Sequence, residues 1–221
     1  MMKSITYSAL FLALFTVVFG QSFAGDYLNF GLSFSQHKHE FNGHNPARRN
    51  PNMHHSLIAD GVAFSAGYGT EGPTIAGRPS RVEFNTSFSS KQHLTTANAV
   101  PRRVRNLGYT TNVKTTRAGL HLWVETSRAA GWRTEIGGGV GLRHSRLTVS
   151  DANFSDNGSG VAPYMMLGAR ATRSLGDATS LFVEARYITS TPVTMSLSHG
   201  GTISHEISGP EIVVGLQIAL P

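Results

Sequence analysis

Residues 119–143 read GLHLWVETSRAAGWRTEIGGGVGLR, and their alternation decides the fold. In the first half Leu120, Leu122 and Val124 share one face, while Gly119, His121, Trp123 and Glu125 share the other, and a period of two is the signature of a strand. Residues 127–131 suit a short turn. The period then resumes with Trp132, Thr134, Ile136, Val140 and Leu142 set against Arg133, Glu135, Gly137, Gly139, Gly141 and Arg143. The first face suits lipid. The second mixes opposite charges with glycine, as the lumen of a narrow barrel requires if ionised side chains are to meet partners in a confined space.

The same period recurs on both sides of this hairpin. Upstream it organises residues 26–35 (Leu28, Phe30, Leu32, Phe34), 61–69 (Val62, Phe64, Ala66, Tyr68) and 81–89 (Val82, Phe84, Thr86, Phe88). Downstream it organises residues 163–172 (Met165, Leu167, Ala169), 181–187 (Leu181, Val183, Ala185, Tyr187) and 211–220 (Ile212, Val214, Leu216, Ile218). With the opening hairpin this gives eight strands, the expectation being an all-β, eight-stranded antiparallel up-and-down barrel. Long polar stretches are expected as loops at about 36–57, 90–111, 150–160 and 190–208, after strands one, three, five and seven, with short turns after the even strands. That asymmetry matches transmembrane barrels, which have short periplasmic turns, long external loops and both termini on the periplasmic side.

Residues 1–24 carry one cation, Lys3, then an apolar run from Ile5 to Phe19, then Ser22-Phe23-Ala24 before Gly25. This reads as a cleaved secretory signal peptide; the run is shorter than the roughly 20 residues of a spanning helix. The mature domain is then 25–221. No cysteine is present, which excludes a disulfide framework and thiolate metal sites. The net charge of +6 favours anionic surfaces such as lipopolysaccharide and does not select nucleic acid as a partner.

Period alone does not say which face points inward, since a soluble barrel could place its apolar face inside. Three features orient it: the glycines lie on the polar face, where a crowded lumen needs small residues; Glu83, Glu125, Glu135, Glu184 and Glu211 share that face with Arg81, Arg133, Arg143, Arg170 and Arg186; and Trp132, Tyr68 and Tyr187 sit near strand ends, where an aromatic girdle belongs. Trp123 on the polar face is the exception. Ala162-Pro163-Tyr164 with Gly168, Glu184-Ala185-Arg186-Tyr187 and Val214-Gly215-Leu216 then give the chain, from Asp26 to Leu220, a form that resembles the small eight-stranded outer-membrane barrels of Gram-negative bacteria, the opacity-type and Ail/OmpX-like surface proteins. The resemblance implies a location in the outer membrane, insertion by the barrel assembly machinery, contact with lipid and lipopolysaccharide, and a host or environmental surface ligand. It also implies a terminal aromatic residue. This chain ends Ala219-Leu220-Pro221, a departure expected to affect the efficiency of assembly rather than the fold.

Glu83, Glu125, Arg133, Glu135, Arg143, Arg170, Glu184 and Arg186 are expected to form a lumen charge network. Arg48, Arg49, Arg102, Arg103 and Arg105 fall in expected loops and suit phosphate or sulfate, with a solubilising charge cluster as the plain alternative. His37, His39, His54 and His55 offer a metal alternative without a recognised ligand framework; solvated loop histidines are the default, and no metal or cofactor is expected. His54 with Ser56, or Ser198 and His199 with Glu206, allow a serine-type site only in the sense that Ser-rich loops often do. The expected function is therefore non-enzymatic: an integral outer-membrane protein whose loops serve adhesion, envelope integrity or host-factor interaction. The alternatives are a lipid A-modifying enzyme or a narrow pore.

Overall fold

The computed structural model describes residues 25–44, 52–96, 109–150, 155–198 and 200–221; the segment read as a signal peptide lies outside them. All regular structure among the described residues is strand: β1 (Tyr27–His44), β2 (Asn52–Glu71), β3 (Ser80–Ser89), β4 (Gln92–Thr96), β5 (Tyr109–Ala129), β6 (Trp132–Ser150), β7 (Ser155–Ser174), β8 (Thr179–Ser190), β9 (Val193–Ser196) and β10 (Thr202–Ala219). Each neighbouring pair is antiparallel in the order β1-β2-β3-β5-β6-β7-β8-β10, and β10 pairs back onto β1 from Tyr27↔Ala219 to His44↔Thr202. Eight strands thus close a ring. The short strands extend it upward, β4 continuing the line of β3 against β5, and β9 that of β8 against β10.

The opening hairpin folds as its alternation dictates. Gly119 pairs with Gly141 and Leu120 with Val140, through a two-residue turn at Ala130 and Gly131. Both turn residues take positive φ (51° and 76°), the geometry whose twist matches flanking strands. Leu120, Leu122, Ile136, Val140 and Leu142 point outward and are exposed, whereas His121, Trp123, Glu135 and Arg143 are buried inside. The outward belt continues around the ring through Phe30, Phe64, Phe88, Leu167, Val183 and Leu216. A continuous exposed apolar band on a closed barrel is a lipid-facing surface, so the chain is an integral membrane barrel. Trp132 faces outward at the turn end of β6, as a girdle requires, and Tyr187 also faces outward but pairs with Leu167 within the belt. Tyr68 stands on the same outer face, between the lumen-facing Gly67 and Gly69, where it has little exposure and its hydroxyl donates to Asp26 Oδ2.

The lumen glycines are the notches into which rings fit. A Cβ on Gly137 would strike the Trp123 ring and the Leu122 carbonyl, and one on Gly119 the Tyr164 ring and the Val140 carbonyl. Trp123, the exception to the sequence pattern, is therefore a lumen-filling residue.

The stretches expected as long loops are largely paired strand. Pairing of β1 with β2 runs to His44↔Asn52, that of β5 with β6 to Thr110↔Ser150, and that of β6 with β7 to Ser150↔Ser155, while β4, β9 and the first half of β10 occupy the rest. The physical reason is an inversion of polarity. A tilted strand needs only about 9–11 residues to cross a bilayer, and β5 has 21. Above the belt, outward positions become polar (Gln36, Lys38, Asn42, Lys114, Arg146), and inward ones become apolar: Phe41, Leu94, Val113, Leu147, Met195 and Ile203 pack together as one buried cluster. Antiparallel strands facing water are stabilised this way, but the inversion erases the pattern that marks the spanning part.

Candidate functional site

In the membrane layer, charges from non-neighbouring strands meet across the lumen. Arg170 on β7 donates through Nη1 and Nη2 to both oxygens of Glu83 on β3 (2.8 and 3.1 Å), and through Nη2 to Glu184 on β8 (2.9 Å). Arg186 continues the chain, donating to Glu184 (3.1 Å) and to Glu211 on β10 (3.1 Å), and Arg117 on β5 grips Glu211 with two bonds of 2.9 Å. The result is an alternating line, Glu83, Arg170, Glu184, Arg186, Glu211, Arg117, in which Glu184 and Glu211 are each shared between two arginines. Bidentate, charge-assisted bonds are the geometry in which buried ions offset their desolvation. The Arg170 guanidinium also lies 4.2 Å from the Trp123 ring centroid, adding a cation–π contact. Nearer the periplasmic end Arg81 clasps Glu135, Arg133 approaches the same carboxylate at 3.7 Å, and both arginines donate to Gln217.

Of the residues expected in the network, Glu83, Arg133, Glu135, Arg170, Glu184 and Arg186 thus lie in these two clusters. Glu125 does not: it keeps its register opposite Glu135 on the inner face, but the register shift between Glu125 and Ser127 brings Arg128 onto that same face, and Glu125 binds Arg128 beside the turn (2.7 Å). Arg143 is buried in the lumen but meets no carboxylate among the described residues, donating instead to Ser145 Oγ (2.7 Å), the His205 carbonyl (3.0 Å) and the His205 ring (3.1 Å). Arg117 was missed, although extending the parity of Gly119 upstream through Thr115 and Val113 places it on the inner face.

Above the belt His39 and His205 stack, 5.4 Å between centroids, with His39 Nδ1 and His205 Nε2 3.1 Å apart. Because Arg143 donates to His205 Nδ1, the His205 proton sits on Nε2 and is given to His39 Nδ1. Both imidazoles are then neutral. Burial, followed by the neighbouring His37 and Arg143, holds His39 down to about 3, and burial with Arg143 and His39 holds His205 well below its ordinary value. A histidine depressed in the folded state binds its proton more readily when unfolded, so its stabilisation is complete above about pH 6.5 and is lost as pH falls toward the folded value. Urea midpoints of the refolded protein are therefore expected to fall steadily from pH 7 to pH 4, and a His39→Gln/His205→Gln variant to show a shallower fall; parallel profiles would exclude these histidines as the source.

The metal alternative is not assembled. His37 and His39 point into the lumen, His54 projects outward and bonds the Asn42 side chain, and the His55 side chain lies outside the description. Among the described residues no group of three or more His, Asp or Glu has metal-holding geometry. Arg48, Arg49, Arg102, Arg103, Arg105 and His199 also lie outside the described residues. Ser198 donates to Asp156 (3.1 Å).

No protein-family model and no curated protein matches the chain. Solved structures do. The outer-membrane protein OprG from Pseudomonas aeruginosa superposes with a TM-score of 0.52 at 10% identity, covering 88% of this chain and 95% of that one. The outer-membrane protein AlkL gives 0.47 at 17% identity over 91% and 96%, and Ail from Yersinia pestis 0.44 at 12% over 89% and 100%. With its closed ring and apolar belt, the chain has the fold of the small outer-membrane β-barrels and is an integral outer-membrane protein.

Proposed function

We propose that this barrel works by binding at the cell surface and neither conducts nor catalyses. The observation that carries the reading is the double filling of the lumen: an ionic line through the membrane layer and, above it, an apolar cluster that includes the fully buried Val113 and Met195. Eight strands leave an interior that side chains can fill, and here they do so with fixed, mutually neutralising pairs. The barrel is then a rigid stand, and the working surface is the outer face of the extension above the belt. Lys91, Lys114 and Arg146 are exposed there, at a level suited to phosphates of lipopolysaccharide or to sulfated glycans. This supports a role in adhesion, envelope integrity or contact with host factors.

Planar-bilayer recordings are expected to give no stable conductance, and lipid A mass spectra to be unchanged by overexpression or deletion. A reproducible channel would overturn the sealed lumen, and an altered lipid A profile would replace the binding role with an enzymatic one. A Lys91→Gln/Lys114→Gln/Arg146→Gln variant should assemble normally yet bind lipopolysaccharide-coated surfaces several-fold more weakly; unchanged binding would remove this face from the account.

A further inference from the structure

One buried charge is left over by the lumen network. Arg81, Arg117, Arg133, Arg170 and Arg186 each lie within 4.0 Å of a carboxylate, and Arg143, at 1% exposure, has none among the described residues. Beside it is a cavity of about 20 Å³ whose lining includes Arg143, Arg117, His37, Thr115 and Gln92, large enough for one small occupant. Three of the buried polar atoms that find no partner belong to this lining: Arg143 Nε, Thr115 Oγ1 and His37 Nε2, the last 4.0 Å from Glu211. All three can donate. Donors from three strands around an uncompensated guanidinium ask for an acceptor bearing negative charge.

The wall also has a seam. The β2–β3 ladder ends at Ala63↔Ser89, and β4 pairs with β5 alone. Above that point the join to β2 consists, among the described residues, of Ser90 N donating to the Val62 carbonyl (2.8 Å) and the Gln92 amide donating to the Asp60 carbonyl (3.3 Å). A Cβ on Gly61 would run into that amide. Outside the seam lies an open cleft of about 650 Å³, edged by Lys91 and His93, that shares Ser35, Val62 and Gln92 with the inner cavity. The Gln92 side chain, with Ser35 and Val62, thus stands between the two.

We propose that the inner cavity is a binding site for a small monovalent anion of halide size, held by Arg143 with Thr115 and His37 and reached from outside through the seam past Gln92. An occupant of the folded barrel alone stabilises it by mass action. Urea unfolding of the full refolded protein in detergent, at constant ionic strength, should show a midpoint that rises steadily as sodium gluconate, too bulky for the cavity, is replaced by sodium bromide. Once bromide exceeds its dissociation constant, each further tenfold increase should raise the folded-to-unfolded ratio tenfold. Arg143→Gln should abolish the difference between the two salts. Thr115→Val, which keeps the charge and removes one donor, should weaken bromide several-fold and keeps the test open should Arg143→Gln not fold. Crystals grown in bromide should show an anomalous peak between Arg143 and Thr115. Equal midpoints in the two salts, or no such peak, would mean that water alone fills the cavity. Gln92→Ala should speed bromide exchange measured by NMR line broadening, and unchanged exchange would overturn the seam as the route.

Discussion

Arg170→Met is expected to lower the unfolding free energy of the refolded barrel by about 3–5 kcal/mol, the usual consequence of stranding a buried charge. The size follows from what the side chain holds. Arg170 supplies both bonds to Glu83 and two to Glu184, and all three groups are buried. Removing it leaves two carboxylates facing each other in a lumen that offers little water. Methionine preserves much of the volume against Trp123, so the loss reports charge rather than a cavity. The contrast is Arg128→Met, which breaks the exposed pair with Glu125 and should cost no more than about 1 kcal/mol. Adding Glu83→Gln to Arg170→Met should recover part of the loss, and the double-mutant cycle would give the coupling directly. Urea unfolding followed by tryptophan fluorescence suits the measurement, because Trp123 lies under the guanidinium. Equal costs for Arg170→Met and Arg128→Met would show that the network adds nothing beyond a surface pair.

Leu167→Arg is the second large effect, and it separates a membrane barrel from a water-soluble one. Leu167 projects from the middle of the belt on β7 and is 72% exposed. In water, placing an arginine at such a position would change stability by no more than about 0.5 kcal/mol. In a bilayer the same change at the midplane should cost about 2–4 kcal/mol, falling toward zero at the interface. Refolding into lipid vesicles, with Arg placed in turn at Leu167, Val161 and Ser159, should therefore give a cost that declines up the strand. A flat, small cost at all three positions would contradict the lipid-facing assignment.

The part of the fold that crosses lipid was legible because lipid and lumen make opposite demands on successive residues. Leu120 and His121, or Ile136 and Glu135, differ so sharply that eight strands and their facing could be read without structure. The upper half was not legible for the complementary reason. There Lys38 and Glu40 face out while His37, His39 and Phe41 face in, so the apolar residues change sides, and Asn and Pro at the hairpin ends complete the impression of a loop. The membership of the charge network followed from parity, but its pairing did not. Glu83 finds Arg170 on a strand three places around the ring, a partnership set by barrel diameter and stagger rather than by any local spacing. Glu125 was taken by Arg128, which one extra residue next to the turn brings onto its face, and Arg143 meets no carboxylate among the described residues. The second seal, the cluster of Phe41, Leu94, Val113, Leu147, Met195 and Ile203, draws its members from strands far apart in sequence, and only the closed ring brings them together.

The central claim is that the chain forms a closed, self-supporting barrel in the outer membrane. Electrophoresis of outer-membrane fractions in SDS, with and without boiling, tests it most directly, since a closed barrel resists the detergent until heated. The expected result is recovery of the protein in that fraction and a shift in its mobility on boiling. Recovery in the soluble periplasmic fraction, or one unchanged mobility with and without heat, would contradict it.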